Sequence, residues 1–532
     1  MGKKLLCLIM AICCVLGLAS CGAQSVAMDN SAKTDNTLNG GFVAETADYV
    51  YFINGVESYT TTYETGSVTK GALLRVKKAD FADLSAATYE TVVSKLIVAD
   101  DMNAGVYIYG DFVYYAVPST ANDKTGTVKN DQLNFFRTKL DATQTSANIT
   151  ARDFPHSATY RYIAAGEKVF LVVYSTELYV YDAISGKEVY TTEAKDGASA
   201  LEKVDVAEVV FADSAVYFSS IPVDQALSEE DNIQKESHHV VYKLDLTASE
   251  VAPVIVLNGV GTSNVGNDSG EGVDLIGVTI DLLRVDGGKL YFSYKSLNTV
   301  SGTNPVYMAI AESALTESGN KSWKKDENVV SLTNKNTASI FADTSIFFGG
   351  KVYYVDSTFG LLVYDNAKAK ENDANTDFGV SIVYYSETIA SATLDFVNVE
   401  GDATFMYFHD ASGIYYKVRI DEVTKETKEF RLNKHAIDTA WYKPEVVQVG
   451  ENYYFVASYS DTEFKSYVYA INMTELKKDF DAWEADESED KAEDFYAKDE
   501  LDTDDDADET FVEFANRHGL LGVVADADKD EE

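Results

Sequence analysis

The sequence predicts an all-β protein, a β-propeller of seven to eight blades, and three observations predict it. Short runs of Tyr, Phe and β-branched residues alternate with turn-forming Gly, Asp and Asn. One two-strand pattern recurs along most of the 532-residue chain. Many of these runs are apolar at consecutive positions, which is typical of strands buried on both faces between packed sheets.

The repeat is clearest between Gly349 and Asp365. A Gly-Gly turn leads into Val352–Val355, Gly360 interrupts the run, and Leu361–Tyr364 follows. We interpret this unit as two strands joined by a turn, with tyrosines that pack between blades. The eight copies pair residues 49–53 with 73–76, 110–115 with 133–136, 166–171 with 178–182, 213–218 with 240–245, 286–292 with 306–310, 349–355 with 361–365, 401–408 with 414–418, and 450–456 with 467–472.

Further apolar segments lie between the copies, among them Thr91–Val93 and Ala207–Phe211. They supply a third and a fourth strand per unit, and four antiparallel strands repeated every ~40–50 residues, with insertions, are typical of propeller blades. One hypothesis for ring closure pairs the strand near Tyr49–Ile53 into the last blade. A β-sandwich array or a β-solenoid remains an alternative, although a solenoid needs shorter and more uniform periods.

The repeat resembles bacterial surface propellers of a domain family of unknown function that often occurs on lipoproteins. Their units run Gly-x-x-Ile-Tyr-Tyr and then Leu-Tyr-x-Ile/Val, and the resemblance spans roughly residues 41–473. Trp323, Trp441 and Trp483 do not recur by blade, so WD40 and quinone-cofactor propellers match poorly. The resemblance implies a fold and a location outside the cell, but no chemistry.

The N-terminus has the pattern of a bacterial export signal. Lys3 and Lys4 precede an apolar stretch of 14 residues, Leu5–Leu18, which is short of the ~20 residues that span a bilayer. Leu18-Ala19-Ser20-Cys21, followed by Gly22, resembles the lipobox of bacterial lipoproteins. This resemblance implies cleavage before Cys21 and lipidation of its thiol. We therefore expect residues 1–21 to be signal peptide and lipobox, and residues 22–41 to be a flexible tether.

The signal peptide and lipobox predict a protein that is anchored to the bacterial cell membrane through lipid. It would face the outside, at the cell surface or in the periplasm. Cys21 is the predicted lipidation site. All four cysteines lie within the first 21 residues, so disulfides, zinc–thiolate sites and thiol nucleophiles are excluded from the folded body. The formal net charge of −42 makes nucleic-acid binding improbable, because such a surface repels phosphates.

After the propeller, expected over residues 42–473, the chain becomes acidic. Residues 475–532 hold 24 Asp and Glu against 6 Lys and Arg. Leu476, Phe480 and Trp483 follow the i, i+4, i+7 spacing of one helix face, and Asn472 with Glu475 has the spacing of a capping box. We expect residues 474–532 to form an acidic tail, partly helical and partly disordered, whose first helix docks on the propeller.

The distal tail allows two interpretations. Phe511–His518 has the pattern of a second small helix, and Asp526–Glu532 that of a disordered end. The acidic residues also match EF-hand positions 1, 3, 5, 7 and 12, but position 6 is Ala507 where the turn calls for Gly. We favour a solvated acidic run over a calcium site at Asp502, Asp504, Asp506, Asp508 and Glu513.

No catalytic signature accompanies the repeats. The chain lacks Gly-x-Ser-x-Gly, HExxH and a P-loop. His238 and His239 point to opposite faces of a strand and cannot easily share a metal. The segment Gly259–Gly272 is a long polar loop, either a binding loop at the propeller rim or a tolerated insertion. We predict no catalytic residue, no cofactor and no metal site.

The sequence therefore favours a non-catalytic lipoprotein whose propeller binds a protein, peptide or glycan partner of the cell envelope. The alternative is an envelope or glycan-processing hydrolase or lyase with carboxylates at the propeller channel. Two carboxyl groups ~5–9.5 Å apart would favour that alternative.

Overall fold

In the computed structural model, eight antiparallel sheets account for nearly all regular structure. The structure describes residues 40–55, 71–82, 84, 87–98, 105–119, 129–194, 205–221, 239–258, 278–296, 306–315, 329–331, 344–365, 379–433, 443–460, 466–488, 495–496 and 520–521.

Each blade is an up-and-down meander in which strands that are consecutive in sequence are hydrogen-bonded neighbours. Blade 1 contains β1 Val43–Glu45, β2 Tyr49–Ile53, β3 Leu73–Lys77 and β4 Tyr89–Val93; blade 2 contains β5 Tyr107–Tyr109, β6 Phe112–Ser119, β7 Lys129–Lys139 and β8 Ser146–Asn148, with the short β9 Phe154–Pro155 also paired to β7. Blade 3 contains β10 Thr159–Ala165, β11 Lys168–Tyr174, β12 Leu178–Asp182 and β13 Lys187–Thr191; blade 4 contains β14 Asp205–Phe211, β15 Ala215–Ile221, β16 Val240–Asp245 and β17 Pro253–Asn258.

The second half of the ring repeats the arrangement. Blade 5 contains β18 Val278–Asp286, β19 Lys289–Ser296, β20 Val306–Ala311 and β21 Val329–Ser331; blade 6 contains β22 Ile346–Phe348, β23 Lys351–Asp356, β24 Gly360–Asp365 and β25 Val380–Tyr384. Blade 7 contains β26 Thr393–Glu400, β27 Ala403–His409, β28 Tyr415–Arg419 and β29 Phe430–Arg431; blade 8 contains β30 Glu445–Val449, β31 Asn452–Ser460, β32 Ser466–Asn472 and β33 Leu520–Leu521.

The prediction of a propeller is confirmed, with eight blades. Every repeat recognised in the sequence forms the second and third strands of one blade. The tyrosines of the clearest repeat pack between blades, as expected: Tyr354 belongs to a core with Tyr291 of blade 5, and Tyr353 to a core with Phe408 of blade 7. Adjacent residues of β23 thus bind the blade to its two neighbours, because successive side chains point to opposite faces.

The first strand of each blade lies innermost. Neighbouring blades approach each other most closely through these strands, with β14 beside β18, β22 beside β26, and β30 beside β1. Three of the first strands carry a β-bulge, whose extra residue is Ala207, Leu283 or Asp395. A bulge re-aims side chains locally, so these strands do not keep a simple alternation along the central channel.

Ring closure differs from the hypothesis drawn from the sequence. Tyr49–Ile53 pairs with β1 and β3 inside blade 1, so its expected pairing into the last blade is wrong. Blades 8 and 1 meet instead by side-chain packing, in a core that joins Val447 and Tyr454 to Phe42. The fourth strand of blade 8 is β33, which comes from the acidic tail and pairs with β32.

The first tail helix, α1 Met473–Ala485, forms as predicted. The Asn472 side chain accepts a hydrogen bond from the Glu475 backbone N–H at 3.2 Å, which satisfies one free amide of the first turn. Phe480 packs edge-on against Phe430 of blade 7, with 5.5 Å between ring centroids. The helix therefore lies on blades 7 and 8. Within the part of the chain that the structure describes, no helix has both the length and the apolar composition to cross a bilayer.

Candidate functional site

Five consecutive blades place an aromatic or basic side chain on their innermost strands. These residues form what we call the inner arc: Tyr107 on β5, Arg161 on β10, Phe211 on β14, Arg284 on β18 and Phe347 on β22. Contacts between them cross from one blade to the next. Tyr107 itself is buried in the core shared by blades 2 and 3.

Arg161 reaches across two blade boundaries. On one side its guanidinium carbon lies 5.3 Å from the centre of the Phe211 ring, a distance typical of a cation–π contact. On the other side, the Tyr107 hydroxyl is close enough for the charge of Arg161 to act on it, although no hydrogen bond of normal geometry satisfies that buried oxygen. Burial raises the pKa of Tyr107 to about 12, so Tyr107 is a neutral phenol at any physiological pH.

Arg284 lies closer to its aromatic partner. Its guanidinium carbon is 4.2 Å from the centre of the Phe347 ring. Its Nε is buried and has no hydrogen-bond partner among the residues that the structure describes. Burial lowers the pKa of Arg284; the nearby carboxylate of Asp286 opposes this effect, and the positive charge of Arg161 adds to it.

The two arginines differ from three other arginines of the propeller. Arg75, Arg152 and Arg419 are each bonded to a carboxylate, whereas Arg161 and Arg284 form no ion pair with any described residue. Instead, the positive charge of Arg161 acts on the guanidinium group of Arg284. The Asp286 carboxylate offsets part of the charge of Arg284, and Arg161 is exposed to solvent. Guanidinium N–H groups without an ion-pair partner are suited to bind an anion.

The remaining blades place carboxylates on their first strands. Glu45 on β1 is ion-paired to Lys78 at 2.6 Å. Glu445 opens β30, where its side chain lies against Gly41 and accepts a hydrogen bond from the backbone N–H of Phe42. Burial raises the pKa of Glu445 to about 8, so this carboxyl group is largely protonated at neutral pH. Both groups join elements of the ring and are not free for a ligand.

Asp395, the extra residue of the blade 7 bulge, lies next to His409. Its carboxylate is 2.9 Å from the His409 Nδ1, and the imidazole ring lies beside Tyr415, 5.1 Å away between centroids. This hydrogen bond raises the pKa of His409 and opposes the effect of burial. The imidazole of His409 is thus held in position by the Asp395 carboxylate, as a general base would be. Among the described residues, no nucleophile is hydrogen-bonded to this imidazole.

Glu208 lies on the first strand of blade 4, and Asp281 lies on the first strand of blade 5. Among the described residues, they are the one pair of carboxylates on neighbouring first strands that are found to repel each other. Burial raises the pKa of Glu208, and the charge of Asp281 adds to this effect. The Glu208 carboxylate accepts a hydrogen bond from the Leu282 backbone N–H at the blade 5 bulge. Glu208 therefore also has a structural task, because it satisfies an amide that the bulge frees from the ladder.

A second concave region, with a cavity of about 460 Å³, lies between blade 7 and α1. Phe405 and Phe430 provide apolar surface there, and Lys417, Arg419 and Lys477 provide charge. These cations are already paired with Glu400, Asp421 and Asp481. The cleft thus has suitable shape but little uncompensated charge, and the inner arc is the stronger candidate site.

Most residues that the sequence singled out lie outside the described residues. They include the predicted lipidation site Cys21, the loop Gly259–Gly272, His238 and the acidic run 502–513. His239 is described, and its Nδ1 lies 2.8 Å from the Ile280 backbone oxygen, so it joins blade 4 to blade 5. Among the described residues, no group of three or more His, Asp or Glu could hold a metal ion.

Sequence reasoning missed the inner arc. Its members are some 50 to 70 residues apart along the chain, and nothing local connects them. The available signal was the presence of Arg161 and Arg284 inside predicted strands, TYRYIAA and IDLLRVD, in a chain with 44 basic residues against 86 acidic ones. Arg161 is exposed to solvent, whereas Arg284 is half-buried and has the Asp286 carboxylate nearby.

The fold defines the class of protein: the chain is an eight-bladed β-propeller with an α-helix packed on its last two blades. No protein-family model and no curated protein matches it. Solved structures do share similarity. BamB from Moraxella catarrhalis is 11% identical with a TM-score of 0.33, and the match covers 80% of this chain and 92% of BamB.

Two peptidase structures are also similar. A post-proline cleaving enzyme from Rickettsia typhi is 10% identical with a TM-score of 0.37, over 81% of this chain and 57% of the enzyme. A prolyl endopeptidase is 9% identical with a TM-score of 0.37, over 75% of this chain. The chain spans only 50% of that endopeptidase's length. Likeness at this level says nothing about ligand or activity.

Proposed function

We propose that this protein is a bacterial lipoprotein, tethered outside the cell membrane through Cys21, whose propeller binds a protein or peptide partner of the cell envelope without catalysis. One observation carries the binding proposal. The inner arc presents two guanidinium groups that form no ion pair with any described residue, although the Asp286 carboxylate offsets part of the charge of Arg284. Guanidinium N–H groups of this kind are a recognition feature for an anionic group of a partner.

The state of the wall carboxylates supports binding over hydrolysis. Glu45, Asp395 and Glu445 are each engaged by a cation, an imidazole or a backbone amide. A glycosidase needs one carboxylic acid and one carboxylate that face a shared space. Groups already committed to holding neighbouring blades together are poorly suited to exchange protons with a substrate.

The proposed partner can be sought by crosslinking on intact cells. A photoreactive amino acid at Thr159, at the start of β10 on the channel wall, should capture a specific envelope protein. The same residue at Lys187, which is exposed on the outer strand of the same blade, serves as the matched control. Capture at Lys187 alone, or capture at neither site together with cleavage of an envelope glycan by the purified protein, would contradict the binding proposal.

The anchor can be tested separately. Cys21→Ala should abolish incorporation of an alkyne-labelled fatty acid and release the protein from the membrane fraction. Cys14→Ala, within the apolar stretch of the signal, should keep both the label and the membrane association. Labelling of Cys21→Ala at the wild-type level would refute the assignment of Cys21 as the lipidation site.

A hydrolase or lyase is the second candidate, and the Glu208–Asp281 pair is the observation that favours it. A carboxyl group with a raised pKa beside an ionised one is the usual arrangement of a general acid and its partner. If the propeller cleaves envelope glycans, Glu208→Gln should reduce the rate at least 100-fold and leave binding intact. Unchanged cleavage in that variant would exclude this pair as the catalytic one.

A further inference from the structure

We propose that the outer edge of blade 6 is a docking surface for an extended segment of a partner protein, and that this segment combines apolar with basic side chains. The surface consists of β25, with its exposed Ile382, and of Phe359 and Tyr385 beside it. We call it the blade 6 edge. It lies outside the channel, and the inference rests on the proposed function only in that the partner is a protein of the cell envelope.

The first argument is the open hydrogen-bonding edge of β25. This strand is the outermost of blade 6 and pairs only with β24 among the described strands. The backbone N–H of Asp365 donates to the oxygen of Gly379 at 2.8 Å, which fixes the alternation of the ladder. Val380 and Ile382 therefore turn their N–H and C=O groups away from β24, where no described residue is hydrogen-bonded to them. Such groups are a template for one more strand.

The second argument is a cluster of exposed apolar side chains beside that edge. Ile382, Tyr385 and Phe359 are 59%, 55% and 52% exposed, and they are three of the five large apolar side chains that are exposed among the described residues. Ile382 lies opposite Leu362 of β24. The Tyr385 ring lies against Gly360, the chain neighbour of Phe359. Single exposed apolar residues are common, whereas neighbouring ones are typical of an interaction surface.

The third argument is that β25 lacks the features that protect the outermost strands of the other blades. β4 contains Glu90, β13 contains Lys187, and β17 begins at Pro253. The outermost strands β8, β21, β29 and β33 have at most three residues each. Charge, proline and shortness all hinder pairing with another chain. β25 has five residues, VSIVY, without charge or proline, and its bulge at Val383 leaves Val380–Ile382 in regular register.

The fourth argument concerns the charge of the partner. The Asp356 carboxylate accepts a hydrogen bond from the Phe359 backbone N–H at 3.0 Å, and the exposed Glu387 follows the strand. No Lys or Arg occurs in residues 352–364 or 380–391. An extended segment that carries both β-branched and basic residues would cover the apolar side chains and also meet these carboxylates. Charge complementarity therefore favours a basic partner over an acidic one.

The same features disfavour two other occupants. A second copy of this chain would bring its own Asp356 and Glu387 close to those of the first, and like charges on paired strands are destabilising. A lipid surface would cover the apolar side chains but would leave the N–H and C=O groups of Ile382 without partners. An extended polypeptide satisfies the backbone groups and the side chains together.

The surface can be tested on the purified protein by fluorescence anisotropy with the labelled peptide amide KVTVKVTV, at a physiological ~0.15 M salt. We expect saturable binding. The peptide KGSGKGSG carries the same charge without β-branched residues and should bind at least tenfold more weakly. Ile382→Lys should weaken binding of KVTVKVTV at least tenfold, because a lysine removes the apolar contact and repels the peptide. Val423→Lys adds the same charge at an exposed apolar residue outside the blade 6 edge and should leave binding unchanged.

Hydrogen exchange distinguishes the addition of a strand from apolar contact alone. With KVTVKVTV bound, the segment 380–384 should exchange more slowly, because the outward N–H groups of Val380 and Ile382 gain acceptors. Phe359→Ser, in an exposed turn, provides a second variant if Ile382→Lys fails to fold, and it should weaken binding severalfold. Unchanged exchange of this segment, equal binding of KGSGKGSG, or equal loss in Ile382→Lys and Val423→Lys would overturn the surface.

Two further results would overturn the choice of partner. Tighter binding of EVTVEVTV than of KVTVKVTV would refute a basic partner. Self-association of the wild type that Ile382→Lys abolishes would show that a second copy of the chain occupies the blade 6 edge.

Failure of this surface and failure of the proposed function give different results in cells. A photoreactive amino acid at Ile382 reports on the blade 6 edge, and one at Thr159 reports on the channel. Capture at Thr159 alone would overturn the blade 6 edge and leave the proposed function in place. Capture at Ile382 alone would support the blade 6 edge and contradict recognition through the channel, and capture at neither position would contradict both.

Discussion

Replacing Glu445 by glutamine should remove a pH-dependent loss of stability at the contact between blades 8 and 1, where the ring closes and which we call the seam. In the folded protein this carboxyl group is buried between β30 and the chain that enters β1. Burial raises its pKa from 4.5 to about 8, since the ionised form loses its hydration. Glutamine keeps an oxygen that can accept from the Phe42 N–H and has a shape close to that of the protonated acid.

The sign and size of the effect follow from proton linkage. The folded state binds the proton more tightly than the unfolded state, so the stability provided by the protonated form is complete below about pH 4.5 and is lost as pH rises to about 8. A shift of that size corresponds to at most about 5 kcal/mol at 1.36 kcal/mol per pKa unit. Solvent entry and relaxation at the seam would reduce it.

Thermal unfolding of the wild type and of Glu445→Gln between pH 5 and pH 9 measures this difference. The two melting temperatures should nearly coincide at pH 5, and the variant should be several degrees more stable at pH 9. Glu451→Gln changes an exposed glutamate at the β30–β31 turn and should follow the wild type at every pH. A constant offset between wild type and Glu445→Gln would refute the assignment of a protonated carboxyl group at the seam.

Two further predictions concern blades 7 and 6. Lys417 and Glu400 are paired at 2.6 Å with side chains only 11% and 8% exposed, so Glu400→Gln should lower the free energy of unfolding by about 3–5 kcal/mol. Glu484→Gln, which breaks an exposed pair, should cost under about 1 kcal/mol, and similar costs in denaturant unfolding would contradict this ranking. At Gly360 a Cβ would lie 2.6 Å from a backbone oxygen, whereas Gly350 has the same φ of +74° and open space. Gly360→Ala should therefore destabilise the protein more than Gly350→Ala, whose cost is backbone strain of about 1–2 kcal/mol; equal melting temperatures would refute the close contact.

The sequence was sufficient for those parts of the fold that local pattern determines. The Tyr353-Tyr354 pair predicted burial on both faces of a strand, and the structure places the two rings in different inter-blade cores. Asn472 predicted the start of a helix, and its side chain does cap α1. Only half of the predicted capping box forms, because the Glu475 carboxylate accepts from Lys478.

The inner arc and the seam could not be predicted in the same way. Arg161 contacts Phe211, and Arg284 contacts Phe347, only because neighbouring blades pack side by side around one axis. Asp395 faces His409 because a bulge adds one residue to β26, and no turn signal in the sequence marks that bulge. The seam pairs Glu445 with residues some 400 positions earlier.

The position of β33 has a consequence for how the ring is made. Leu520–Leu521 completes blade 8, although it follows α1 by more than 30 residues and comes after all the other described strands. Until it arrives, β32 presents an unpaired edge that can recruit a strand from another molecule. A chain truncated before residue 520 would thus retain seven complete blades, and its eighth blade would end at the unpaired edge of β32. Completion of blade 8 therefore depends on a strand that lies beyond the acidic residues that follow α1.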